Sequence, residues 1–183
     1  MQIIHIPSKQ LTREQVHQLI ALQDVVWPKE EKLARPIEER IDEYINDPEE
    51  EYETFLIFVD DKLVAHAEIF ARTVLTEKGP VDVMALASVC TPPECRGDGY
   101  GKRIVEEAFK QVDNGRFKVS LFQTGVPEFY EKFGACRVDN PFVNSRAEDP
   151  KANPWWNPYQ MIYPTSFLPE WPEGVIDLDG NGY

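Results

Sequence analysis

Three glycines fall within six residues at Arg96-Gly97-Asp98-Gly99-Tyr100-Gly101, between two segments of different periodicity, and few folds accommodate that arrangement. Before it, Val83-Met84-Ala85-Leu86-Ala87-Ser88-Val89-Cys90-Thr91 is rich in apolar and β-favouring residues, the pattern of a buried strand. After it, Ile104, Val105, Ala108, Phe109 and Val112 recur at helical spacing. A strand, a glycine-rich loop and a helix N-terminus in that order gather backbone N–H groups around one point. Glycine permits the turns that aim them, and the helix dipole adds partial positive charge. Arg96 adds a full charge. The loop reads as a grip for a phosphate group.

Spacing decides between the known glycine loops. Gly97, Gly99 and Gly101 run G-x-G-x-G, not the G-x-G-x-x-G of dinucleotide folds, and no acidic residue follows a second strand at the distance that motif needs. Gly101-Lys102 is followed by Arg103 where a P-loop has Ser or Thr, and the upstream glycine is missing. What remains is R-x-x-G-x-G, on Arg96, Gly99 and Gly101, preceded by Pro93 and by Val89-Cys90-Thr91. This resembles the acetyl-CoA loop of the GNAT N-acetyltransferases. The resemblance implies an α/β, GNAT-like acyl-CoA N-acyltransferase fold, a mixed central sheet flanked by helices. It implies acetyl-CoA as co-substrate, contacted by the backbone of Val89, Cys90 and Thr91 on a splayed strand and by Arg96, Gly97, Asp98, Gly99, Tyr100, Gly101 and Lys102 around its phosphates. No metal is expected.

A second segment fits the same family. Val119 to Phe122 reads as a strand, and Val126 to Ala135 as a short helix with Pro127 near its start and Gly134 past its end. On the residues alone, Phe129, Tyr130 and Phe133 are interchangeable as core aromatics. The spacing Tyr130-x-x-x-Gly134-Ala135 resembles the family motif after the fifth strand, which implies that Tyr130 protonates the departing thiolate.

The remaining pattern predicts one domain over residues 1–183, a length sufficient for a single sizeable core. Thr12-Arg13-Glu14-Gln15 is a capping box opening a helix that carries Val16, Leu19, Ile20 and Val26 and stops before Pro28. A second helix runs from about Pro36 to Ile45 with Ile37, Ile41, Tyr44 and Ile45 on one face. Phe55–Val59 and Leu63–Val74 are strands joined at Asp60-Asp61-Lys62, a hairpin. A final strand lies around Gln160-Met161-Ile162-Tyr163. The order β-α-α-β-β-β-α-β-α is similar to the GNAT topology. An irregular Pro/Trp-rich segment is expected at about 139–158, and an extended tail at about 164–183.

Composition narrows the setting. Residues 3–6 are interrupted by His5 and give way to Pro7-Ser8-Lys9, so they are no secretory leader, and no apolar run approaches a membrane span. Cys90, Cys95 and Cys136 are odd in number and lack zinc-ligand spacing; Cys90 and Cys136 read as core thiols and Cys95 as more exposed. A reducing cytoplasm fits. The net charge of −13 excludes a nucleic-acid surface and favours a cationic small-molecule acceptor, while Glu49-Glu50-Glu51 reads as a solubilising run. Dimers being common in the family, a homodimer is the expected assembly.

Smaller signals carry less. Arg96-Gly97-Asp98 spells an adhesion tripeptide but lies inside the phosphate loop. Asp177-x-Asp179-x-Asn181-Gly182 opens like an EF-hand loop without its later ligands, and reads as a solvated turn. Trp155-Trp156 either pack over the core or line an acceptor pocket or interface. The run Gly174–Tyr183, with Ala65-His66-Ala67, is similar to the aminoglycoside 2′-N-acetyltransferases. That subgroup places a glutamate base where this chain has Ala87. The remaining base candidates are Glu68, His66 and Asp82. Alternation puts His66 and Glu68 on one strand face, which serves either as a water-mediated base or as a solvent-facing polar pair. Two functions stand: N-acetyltransfer to a primary amine of an aminoglycoside-like or polyamine-like acceptor, with Tyr130 and Glu68 catalytic, or a non-catalytic acyl-CoA-binding module.

Overall fold

The structure, a computed structural model, describes residues 1–28, 35–46 and 52–183; Glu49-Glu50-Glu51 lie outside the described residues. The chain forms two compact units, Met1–Phe70 with Ser88–Ala108, and Ala71–Ala87 with Phe109–Tyr183.

In the first unit, β1 (Gln2–Pro7) pairs antiparallel with β2 (Glu53–Val59), and β2 with β3 (Lys62–Thr76). The β2–β3 hairpin closes through Asp60 and Asp61, both at positive φ (48° and 62°), a conformation that follows the strands' own twist. Helix α1 (Arg13–Val26) starts on the expected capping box: the Gln15 amide donates to the Thr12 hydroxyl and the Thr12 amide to the Gln15 side chain. Losing it in Thr12→Ala is expected to cost about 1 kcal/mol of stability, read by urea unfolding. The α1 residues Val16, Leu19, Ile20 and Leu22 bury against Ile41 of α2 (Ile37–Asn46), Leu56, Leu63 and Cys90. The strand β4 (Gly79–Cys90) and the helix α3 (Tyr100–Asp113) each have one end in this unit, where Ile104, Val105 and Ala108 are fully buried.

In the second unit, β4 pairs parallel with β5 (Ser120–Thr124), and β5 antiparallel with β8 (Tyr159–Tyr163), which also takes β6 (Cys136–Val138). Two further strands were not anticipated: β7 (Phe142–Val143), inside the segment expected to be irregular, and β9 (Ile176–Asp177), inside the tail. They pair in parallel, and β9 also pairs with Leu75 and Thr76 of β3. Parallel and antiparallel pairs make this the expected α/β architecture with a mixed sheet. Helix α4 (Pro127–Glu131) is short, and Gly134 follows it in the left-handed region.

The tail is no solvated turn. Ile176 and Leu178 are fully buried beside Val74, Phe142 and Trp155. The Arg72 guanidinium donates to the Leu178 carbonyl through Nε and Nη2 (3.1 and 2.8 Å) and to the Asn181 carbonyl through Nη1 (2.8 Å), and lies over the Tyr183 ring. The carboxylates of the EF-hand-like run are engaged within the protein: Asp177 accepts from the Ser145 and Asp179 amides, and Asp179 pairs with Arg146. A Cβ at Gly182 would lie 2.5 Å from the Pro154 carbonyl oxygen, so the segment tolerates no side chain there. The two tryptophans divide: Trp155 packs edge-on against Phe142 and Tyr183, whereas Trp156 is 70% exposed. No helix of the described residues is long and apolar enough to cross a membrane.

Candidate active site

The glycine loop belongs to the first unit. A one-turn 3-10 helix at Pro93–Cys95 delivers the chain to Arg96, and Gly97 and Gly99 then take positive φ (96° and 84°). The Arg103 amide donates to the Gly99 carbonyl, 3.0 Å, so the amides of Tyr100, Gly101 and Lys102 precede the first helical bond of α3. Arg96, Gly97, Asp98, Gly99 and Lys102 line the outer side of this turn, and a Cβ at Gly97 or Gly99 would meet no atom within 4 Å. The loop therefore leaves room above an array of N–H donors at the positive end of a helix, which suits a pyrophosphate. Asp98 carries the wrong charge for that ligand and can serve it only through its backbone.

Upstream, Val89 and Thr91 are half-buried and Cys90 is buried. Burial, and then the charge of Glu68, push the Cys90 thiol up to about 12, which makes it a poor nucleophile and a core residue as expected. Cys95 has its thiol raised by burial and by Glu94 and Asp98. Cys136, expected in the core, is half-buried: it packs against the core of the second unit from β6, which lies at the sheet edge beside β8.

His66 and Glu68 are not a solvent-facing pair. His66 is fully buried and Glu68 nearly so, because β3 is covered on both faces from Leu63 to Phe70. The Tyr44 hydroxyl, reaching in from α2, donates to Glu68 Oε1 at 2.6 Å. Behind it, Thr54 Oγ1 lies 3.4 Å from the Tyr44 oxygen and 2.6 Å from Ser8 Oγ. His66 Nδ1 lies 3.1 Å from the Ser88 carbonyl oxygen; since a carbonyl only accepts, Nδ1 carries the proton. The other ring nitrogen, Nε2, makes no hydrogen bond and sits 3.6 Å from Glu68 Oε1. Burial pushes the Glu68 carboxyl up, but the His66 imidazole 3.6 Å away and the hydrogen bond from Tyr44 outweigh it and hold the group below the ordinary carboxylate range. Burial and the neighbouring Glu68 charge push the Tyr44 phenol far up, so it stays a donor.

This cluster is a buried carboxylate with an imidazole nitrogen 3.6 Å from it. It lies one hydrogen bond behind a groove of about 670 Å³ between α1 and α2, which Tyr44 lines together with Ile20, Gln23 and Arg40. Arg40 is held there by a bidentate pair with Asp24.

The other sequence candidates fall elsewhere. Asp82 accepts from the Thr73 hydroxyl at 2.6 Å, an exposed pair in the second unit. Ala87 is half-buried on β4. Tyr130 is buried on α4 in the second unit, between Phe122 (4.7 Å, tilted) and Phe129 (5.0 Å, edge-on). Sequence reasoning missed Tyr44 and Ser88 as members of the cluster. A tyrosine on a face otherwise made of isoleucines was a signal for the first, since a buried phenol needs a partner. Ser88, at φ +53°, carried no signal that a sequence shows.

Comparison with solved structures gives the same architecture. A GCN5-related N-acetyltransferase from Kribbella flavida superposes with a TM-score of 0.58 at 16% identity, over 74% of this chain but only 33% of that one. ElaA of Escherichia coli gives 0.57 at 16% identity, over 88% of this chain and 97% of that one. An aminoglycoside acetyltransferase from an uncultured soil metagenomic sample gives 0.52 at 14% identity, over 72% and 83%. Among curated proteins none matches the sequence significantly. The profile of the acetyltransferase (GNAT) domain matches residues 8–138. That match spans well over half of the sequence, and the chain belongs to the GNAT acetyltransferases, a family of acyl-CoA N-acyltransferase enzymes.

Proposed function

We propose that the protein transfers the acetyl group of acetyl-CoA to a primary amine of a small cationic acceptor, aminoglycoside-like or polyamine-like. The observation that carries this reading is the buried, ionised Glu68 held by Tyr44 and His66 in the same compact unit as the glycine loop. The amides of Tyr100, Gly101 and Lys102, with Arg96, hold the pyrophosphate, and the backbone of Val89, Cys90 and Thr91 holds the pantetheine and the thioester carbonyl. Glu68 attracts the acceptor's ammonium and takes its proton through water, leaving the neutral amine to attack the carbonyl carbon. As the C–S bond breaks, Tyr130 gives its proton to the departing sulfur, while the attacking nitrogen releases its second proton to water and the phenolate is reprotonated from water, leaving a neutral amide and a free thiol. The net charge of −13 supports a cationic acceptor.

A second reading, a non-catalytic acyl-CoA-binding module, is favoured by Ala87 at the position of the subgroup's base. Acetyl-CoA titration followed by thiol release with spermidine or an aminoglycoside separates the two. The enzyme reading expects Tyr130→Phe to bind acetyl-CoA as the wild type does and to lose about tenfold or more in kcat. Equal turnover removes Tyr130 from the mechanism. Tight binding with no turnover on any amine establishes the module.

A further inference from the structure

Ser88 is a non-glycine residue at φ +53° inside β4. A left-handed residue within a strand is unfavourable, and it persists only where its surroundings hold it. One group of β3 does so: His66 Nδ1–H donates to its carbonyl, 3.1 Å. Among the described residues this is the one hydrogen bond of the His66 ring, which is fully buried with Nε2 lacking a hydrogen-bond partner. Burying an imidazole for one bond is costly, so that bond has something to fix. Val89-Cys90-Thr91 come directly after Ser88 in the chain. A kinked residue rotates the next peptide planes out of the ladder, freeing their N–H groups for another partner.

We propose that His66 is a positioning residue for the coenzyme: its Nδ1–H holds the Ser88 carbonyl and so fixes the kink that presents the Val89–Thr91 backbone to acetyl-CoA. The inference rests on the reading of residues 89–102 as the acetyl-CoA site. It assigns His66 to binding of the coenzyme and not to the acceptor's proton.

The test compares two amides. In His66→Asn the side-chain nitrogen stands where Nδ1 stood and still reaches the Ser88 carbonyl; in His66→Gln it stands where Nε2 stood and does not. The expected acetyl-CoA Kd, by calorimetry, is within about twofold of wild type for H66N and weaker by roughly tenfold for H66Q. Ser88→Gly, which adopts positive φ without help, is expected to restore H66Q to within about threefold, and KM for acetyl-CoA to follow Kd while kcat moves less. Wild-type-like binding by H66Q, or equal weakening in H66N and H66Q, overturns the proposal. Two measurements need no folded H66Q. The imidazole nitrogen spectrum of the wild type is expected to show Nδ1 protonated, and an unprotonated Nδ1 overturns it. Ser88→Val, which resists positive φ, is expected to weaken binding, and unchanged binding overturns it. A folded wild type that binds no acetyl-CoA refutes the coenzyme reading itself, and the imidazole spectrum still decides the clamp.

Discussion

Glu68→Gln lowers turnover by about 10²- to 10⁴-fold while leaving acetyl-CoA affinity within a factor of about two. The amide keeps the shape of the carboxylate and still accepts from Tyr44, but it has no negative charge to draw an ammonium and no lone pair basic enough to take its proton. The loss therefore falls on kcat and on the acceptor's KM. Retained turnover would move proton removal to the solvent and leave Glu68 as a structural anion. The same substitution has a signature in stability. Glu68 lies below its ordinary value of 4.5 in the folded protein, so its contribution is fully present above about 4.5 and is lost as pH falls through the lower, folded value. Wild type accordingly destabilises more steeply than E68Q on acidification below about 4.5. Parallel curves would show that the carboxyl is not held ionised by its neighbours.

Arg96→Ala with Gly99→Val weakens acetyl-CoA binding by about 100-fold or more. A charge-assisted hydrogen bond contributes about 1.5–3 kcal/mol. Valine at φ +84° is a sterically forbidden choice, so the loop must leave the conformation that aims its amides. The side chain added at Gly99 meets nothing within 4 Å, so the melting temperature is expected to fall by only a few degrees. A doubly substituted protein that still binds at wild-type affinity would show that the helix N-terminus is not the phosphate site.

The fold was legible wherever local chemistry decides it. Thr12 and Gln15 announce a helix start, Asp60-Asp61 a hairpin, and Pro127 and Gly134 the ends of a short helix, because each satisfies a backbone need close by in the chain. The two-residue strands β7 and β9 were not legible: two residues show no alternation, and their partners lie far away in sequence. The candidate site divided in the same way. Arg96 to Lys102 is a local motif and could be read. Alternation placed His66 and Glu68 on one face, but it cannot tell a buried face from a wet one when β3 is covered on both sides. Tyr44 reaches Glu68 from 24 residues away, and only packing brings them together.

Arg72 has a consequence for how the chain is made. Its guanidinium waits for carbonyls at Leu178 and Asn181, 106 and 109 positions later, and β3 waits for β9. Synthesis runs from the N-terminus, so the second unit cannot close until those late residues have left the ribosome. During that interval Val74, Phe142 and Trp155 stand uncovered. Until this unit is completed, its apolar residues are open to aggregation.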